Sequence, residues 1–194
     1  MRRALLNVFV AVFISIAAWG QGSEWQIDPA HTTVGFTVRH LGISNVHGRF
    51  TKVTGSATVD DNDMTKSSVN ATIDIGSINT GNDSRDNDLR SPNYFDATQF
   101  PTMSFKSKNV TRNGDNKLKI VGDLTVKGVT KEVSLDVDGP SAPVKMGPNQ
   151  RRGLSATTSV NRKDFGVGAK TPAAMVGEEI KIDLDVELTQ KGAQ

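Results

Sequence analysis

The chain has 194 residues, no cysteine, and 23 Lys and Arg against 21 Asp and Glu. Taking away Arg2 and Arg3, both in an apolar leader, reduces 23 basic residues to 21, level with the acids. A neutral, evenly mixed chain sets up no field favouring nucleic acid or an anionic membrane as partner. Without cysteine, an exported domain depends on its packing and not on disulfide staples.

Residues 1–20 read as a signal peptide. Arg2 and Arg3 give a basic start, Ala4 to Ala18 is an apolar run broken by Asn7 and Ser15, and Ala18-Trp19-Gly20 supplies small residues for cleavage. The run is shorter than the roughly 20 residues of a membrane-spanning helix. The expectation is a periplasmic or secreted bacterial protein with no stable membrane insertion after cleavage. Residues 21–194 suit a single domain with a sizeable core.

From His31 onward the chain alternates apolar and polar residues. Val34, Phe36 and Val38 face one way, followed by Val46, Gly48 and Phe50, then Val53, Gly55, Ala57 and Val59. The phase flips between Phe50 and Val53, which predicts a bulge or bend in one long strand. Asp60-Asp61-Asn62-Asp63 is turn chemistry, and Val69, Ala71, Ile73 and Ile75 resume the pattern. Residues 79–99 do not alternate. They predict one or two helical turns capped by Asn82 or Asp83, and an excursion of this kind serves as a lid or plug.

Met103, Phe105 and Ser107 mark the next strand, then Leu118 to Val126, then Val133, Leu135 and Val137. Asn113-Gly114 predicts a tight hairpin, and Gly128-Val129-Thr130 a second tight connection. After a Pro/Gly-rich loop from Pro140 to Pro148 come Leu154, Ala156, Thr158 and Val160, and Ile180 to Leu188 closes the domain. The total is about eight strands with short connections, hence an all-β, antiparallel, up-and-down barrel or, failing that, a sandwich. Eight strands enclose side chains alone or one small ligand. Glycines and alanines on the inward face (Gly48, Gly55, Ala57, Ala71, Gly122, Ala156) predict a cavity lined by phenylalanines and isoleucines.

Motifs for catalysis are scarce. His31, His40 and His47 lack metal-ligand spacing on one strand, so a metal site requires the fold to unite them. The Asn82–Asp88 cluster lacks the central glycine and closing glutamate of a calcium loop. Asp86 and Asp88 as a hydrolytic pair need pKa values pushed apart, and Asp and Asn in a loop more often form turns and caps. There is no nucleophile elbow and no phosphate-binding glycine loop.

The chain resembles the YceI-like family of exported bacterial proteins. The resemblance rests on residues 28–40 (DPAHTTVGFTVRH), Gly48-Arg49-Phe50, residues 75–81 (IGSINTG), residues 85–91 (RDNDLRS), Tyr94-Phe95-Asp96, residues 100–105 (FPTMSF), residues 122–131 (GDLTVKGVTK) and residues 161–166 (NRKDFG). Asn87 departs from it, standing where the family more often has a longer residue. The resemblance implies a lipocalin-like barrel of eight strands around a long apolar pocket, with a short helical lid near residues 82–96. It implies a polyisoprenoid ligand, of quinone or polyprenyl type, or another long-chain amphiphile. No cofactor is required and no catalytic residues carry over.

On this reading Phe36, Val38, Phe50, Ile73, Ile75, Phe95, Phe100, Met103, Phe105, Leu124, Val126, Leu135 and Phe165 line the tail channel, and for several of them plain barrel core is an equal reading. His40, Arg39 and Arg85 are the head-group candidates. The alternatives are an enzyme, a hydrolase or isomerase, working on a bound lipid through Asp86 and Asp88, or a structural stress-response module with a filled barrel. An exposed edge or the Pro140–Pro148 loop would support a homodimer, and nothing in the pattern demands one.

Overall fold

The computed structural model of the protein describes residues 22–191. The expected signal peptide (residues 1–20) and the end of the tail (192–194) lie outside the described residues. Twelve strands form one sheet: β1 (Ser23–Ile27), β2 (Thr33–His40), β3 (Ser44–Phe50), β4 (Val53–Val59), β5 (Ser68–Asp74), β6 (Ile78–Asn79), β7 (Thr102–Arg112), β8 (Lys117–Val126), β9 (Val129–Asp138), β10 (Val144–Met146), β11 (Asn149–Asn161) and β12 (Val176–Lys191). One helix, α1 (Asp83–Arg90), interrupts them.

Register reduces these strands to eight staves. β1 and β2 both run antiparallel to β12, with Ile27 opposite Leu188 and Thr33 opposite Asp185, so they are one stave broken at residues 28–32. β3 pairs with β2 while β4 pairs with β1, making the second stave. The remaining six staves are β5, β7, β8, β9, β11 and β12, and β12 closes the cylinder against the first. β6 and β10 are short additions on β3 and β11. Closure removes the exposed edges an open sheet would present.

The predicted bend between Phe50 and Val53 is present. It frees two backbone N–H groups, and the hydroxyl of Ser77 accepts both, from Thr51 and Lys52, at 3.1 Å each. An unpaired buried amide costs as much as a lost hydrogen bond, so one serine keeps the stave continuous. The tight connection predicted at Gly128-Val129-Thr130 falls one residue earlier. Lys127 (φ 51°) and Gly128 (φ 75°) are both left-handed between the paired residues Val126 and Val129, a geometry that matches strand twist. At Asn113-Gly114 the loop is wider than two residues, with Gly114 (φ 114°) and Asn116 (φ 53°) sharing the reversal.

The two ends are closed differently. At one end lie the connections 41–43, 75–101, 127–128 and 162–175, including α1. At the other lie 60–67, 113–116 and 139–148. A charged plug fills this floor. Arg152 points inward from β11, 2% exposed, with its guanidinium 4.5 Å from the ring centre of Trp25, itself 1% exposed. The same guanidinium donates a fork of hydrogen bonds to Asp61, at 3.0 and 3.2 Å, while its Nε–H has no partner.

A second ion cluster ties the break in the first stave. Asp28 accepts from the Ala30 amide (2.9 Å), bonds the His31 ring (3.1 Å) and accepts from Arg151 (2.7 Å), which also donates to Glu187. These bonds, His31 first, hold the Asp28 carboxyl below its ordinary value of 3.8 against the opposing pull of burial.

Asp61→Ala strands the charge of Arg152 at a buried position and is expected to cost about 1–3 kcal/mol of unfolding free energy. Arg152→Met removes both charges' interaction while keeping volume, and is expected to cost less. Urea denaturation of the two variants checks the order. For Asp28 the folded pKa lies below the unfolded one, so its contribution is full above the unfolded value and is lost as pH falls through the folded value. Thermal unfolding between pH 5 and pH 2 should therefore show a shallower acid loss for Asp28→Asn than for the wild type, from a lower starting stability.

Candidate functional site

The inward faces of the staves enclose a cavity of about 280 Å³ running from the floor to the lid. Val34, Phe36 and Val38 line it from β2, Met103, Phe105 and Val110 from β7, Leu118, Ile120, Leu124 and Val126 from β8, and Leu154, Ala156 and Val160 from β11. Its one ionisable group of permanent charge is Arg162, and its polar groups are otherwise hydroxyls such as Thr32, Thr58 and Thr158. Along β12, Ile180, Ile182, Leu184 and Val186 are only half-buried although they point inward, while Lys181, Asp183 and Asp185 between them are exposed. Side chains in a packed core lose nearly all their accessible surface. These keep theirs because the lumen is open.

Small residues contribute less space than expected. A Cβ on Gly48 would meet the Phe36 ring at 2.2 Å, and one on Gly122 would meet the Phe105 ring at 2.5 Å. These two glycines make room for the aromatic rings that lie over them. Gly55 (φ 152°) permits a close approach to the Asn70 carbonyl, 2.2 Å from where its Cβ would stand. Of the six small residues, Ala57, Ala71 and Ala156 border the cavity.

The lid is apolar below and polar above. Leu89, Tyr94 and Phe95 reach the cavity, and the Phe95 ring meets Phe50 edge-on at 5.9 Å, with Phe36 a further 5.7 Å beyond. α1 begins as predicted at an Asn82 cap, whose side chain accepts from the Arg85 amide at 3.0 Å; residues 91–96 are turns rather than helix. The charged groups of α1 bolt it down. Asp86, 3% exposed, accepts from the Thr80 amide (2.9 Å) and hydroxyl (2.5 Å), and Arg90 donates to the carbonyls of Gly76 and Ile78. Lys127 donates to the carbonyls of Pro92 and Tyr94 from across the barrel mouth.

Beside the lid, Arg162 organises residues 162–176. It is 4% exposed, and all five guanidinium N–H groups donate to carbonyls, those of Gly177, Val167, Gly168, Thr171 and Val176. A lysine offers three donors from a point and could not reproduce this fork.

Phe36, Val38, Phe50, Ile73, Phe95, Met103, Phe105, Leu124, Val126, Leu135 and Phe165 all stand on the cavity wall. Five other expected contacts lie elsewhere. Ile75, 1% exposed, falls where β5 has already turned into a 3₁₀ segment, and it packs in the core behind the wall. Phe100 lies against Gly128 at the β8–β9 turn. His40 ends β2 exposed at the rim, opposite Ser44. Arg85 is occupied by Thr80, donating to its hydroxyl (2.7 Å) and carbonyl (2.9 Å), and Arg39 by Gly42 and Asn45.

Wall residues outside the expected set include Leu89, Tyr94, Arg162, Val167 and the inward face of β12. The alternation of Ile180, Ile182, Leu184 and Val186 was the available signal for β12. Arg162 and Val167 sit in an irregular segment with no period to read.

Asp86 is turned to Thr80 and Asp88 is exposed, and neither borders the cavity. Among the described residues one metal-capable group comes together, Asp28, His31 and Glu187, with ligand atoms within 4.8 Å of one another. The guanidinium of Arg151 already bridges its two carboxylates.

Residues 25–188 match the YceI-like domain. A UPF0312 protein of Vibrio cholerae is 32% identical over 185 residues, covering 94% of this chain and 98% of the relative. The crystal structure of the Campylobacter jejuni YceI protein is 30% identical with a TM-score of 0.72, over 79% of this chain and 90% of that one. A polyisoprenoid-binding domain from Saccharophagus degradans shares the fold alone, at 15% identity and a TM-score of 0.64, over 87% of this chain and 98% of that one. With the match spanning the barrel from its first stave to its last, the chain belongs to the YceI-like family.

Proposed function

We propose that the barrel holds the tail of a polyisoprenoid, of quinone or polyprenyl type, or of a comparable long-chain amphiphile, and carries it through an aqueous compartment. The observation that carries this reading is the open apolar lumen of about 280 Å³ whose single charged group is already saturated by carbonyls. That volume is near the lower end of small-molecule pockets, about 300–1,000 Å³. Each buried methylene is worth about 0.8 kcal/mol, so one isoprene unit supplies about 4 kcal/mol before association and ordering costs. Such a tube selects for the width and length of a chain. The polyisoprenoid-binding domain of Saccharophagus degradans, built on the same fold, supports this ligand class.

The exterior supports carriage in water. Outward positions hold Lys106, Lys119, Glu132, Asp136, Lys181, Asp183 and Asp185, all exposed, where a barrel embedded in lipid has an apolar band. No helix among the described residues is long and apolar enough to cross a membrane. The leader in residues 1–20 supports export to the periplasm. Binding without turnover fits the placement of Asp86 and Asp88, which lie off the cavity wall.

Saturation with a twenty-carbon prenol at a hundred times its Kd should stabilise the protein by about 2.7 kcal/mol. For a domain of this size that raises Tm by about 5–10 °C. Ala156→Phe, which puts a ring into the lumen, is expected to cost about 1–3 kcal/mol and to abolish the ligand-dependent shift. An unchanged shift in that variant, measured by scanning calorimetry, would place the ligand outside the barrel.

A further inference from the structure

The wall is not equally laced all round. β8 is paired with β9 along its whole length from Lys117 to Val126, and β11 with β12 from Asn149 to Asn161. β9 and β11 are paired only at the floor end, through Asp138 and Ser155, Val137 and Ala156, and Asp136 and Thr157. Towards the lid the two strands part, and one side-chain bond ties them, from the Thr158 hydroxyl to the Ser134 carbonyl at 2.8 Å.

A polar surface groove fills the parting, and it shares Val133, Thr158, Val160 and Phe165 with the lumen wall. These four residues therefore border both the apolar interior and a polar exterior site. Within that groove the Ser134 hydroxyl oxygen is buried and has no hydrogen-bond partner. Buried hydroxyls are nearly always satisfied, so an unpartnered one beside a cavity calls for an explanation.

We infer that this seam is a lateral head-group site: the tail lies in the lumen, and an uncharged polar head, bearing carbonyl or hydroxyl oxygen, passes between β9 and β11 to meet Ser134. The inference rests on the lumen reading above. The chemistry of the groove selects an uncharged head. Its carboxylates Glu132 and Asp136 are engaged, with Lys108 at 3.0 Å and with Lys119 at 3.5 Å, and Lys131 and Asp164 give the rest of its rim no net charge. What remains on offer is neutral: the hydroxyls of Ser134 and Ser159, and that of Thr158 once its bond to the Ser134 carbonyl opens.

The two ends of the barrel are closed by stronger means. The floor carries the Trp25–Arg152–Asp61 plug, and the lid is bolted by Asp86, Arg90 and Lys127. Opening the seam breaks one hydrogen bond of Thr158, and the head replaces it.

The chain has no cysteine, so single labels can be placed cleanly. Ser159→Cys puts an environment-sensitive fluorophore on the groove, and Ile43→Cys puts the same label on the lid-end rim, 77% exposed. A ubiquinone with two isoprene units, whose ring quenches fluorescence, should quench the Ser159 label at least about twice as strongly as the Ile43 label. Equal quenching, or stronger quenching at the rim, overturns the head-group site.

Ser134→Ala should weaken binding of the prenol geranylgeraniol about fivefold, the loss of one hydrogen bond, while leaving the headless hydrocarbon phytane unaffected. An equal effect on both ligands, or none on either, also overturns it. Phytane distinguishes the two levels of the account. If phytane binds the wild type and the head-group tests fail, the seam is refuted and the lumen stands; if phytane does not bind, the lumen reading falls and the seam with it.

Discussion

Closure of the hydrogen-bonded ladder is the constraint on which the rest of this protein depends. Once β12 pairs with both β1 and β2, each inward side chain is committed to one enclosed space, and its size is set by strand number more than by any single residue. Because successive residues on a strand point to opposite faces, a one-residue slip would carry the whole apolar set to the surface. The alternation on β12, half-buried aliphatics between exposed charges, is the direct trace of that commitment. An interior built this way is either packed by its own side chains or filled by something else.

The charged residues work at the ends. Arg152 with Trp25 and Asp61 seals the floor, and Arg162 pins the loops beside the lid with five carbonyls. Both arginines are nearly fully buried, yet neither leaves a charge free inside the lumen. An apolar tube can thus be closed by strong polar bonds without making its interior attractive to ions or water. The seam between β9 and β11 lacks this reinforcement, and there the lumen and a polar surface groove share Val133, Thr158, Val160 and Phe165.

Much of this was legible in the residues, for a physical reason. Strand period and turn chemistry are local, so the staves, the bend between Phe50 and Val53 and the Asn82 cap could be read from neighbours in sequence. So could nine of the expected wall residues, from Phe36 to Leu135, because parity on a regular strand decides which way a side chain points; Phe95 and Phe165 reach the wall from a turn and a 3₁₀ segment, outside that rule. Parity misleads where the strand has ended. Ile75 looks in phase with Ile73, but the chain has already turned into a 3₁₀ segment. Charged residues were harder still. Arg85 looks like a head-group contact until the fold brings Thr80 against it, and Arg162 shows its role only when the carbonyls from Val167 to Gly177 converge on it. Such partners are assembled by the fold and leave no period to read. The glycines are an intermediate case: Gly48 and Gly122 were rightly placed inward, but the space they leave is taken by the rings of Phe36 and Phe105.

The central claim is that the lumen is built for a chain-like apolar guest. Native mass spectrometry of the protein, purified without detergent or organic solvent, tests it most directly. The account predicts a mass excess of one long-chain lipid per chain, released on denaturation and restored when the stripped protein is incubated with a prenol. A mass equal to the bare chain in every preparation, with no uptake of prenol or hydrocarbon by the stripped protein, would contradict it.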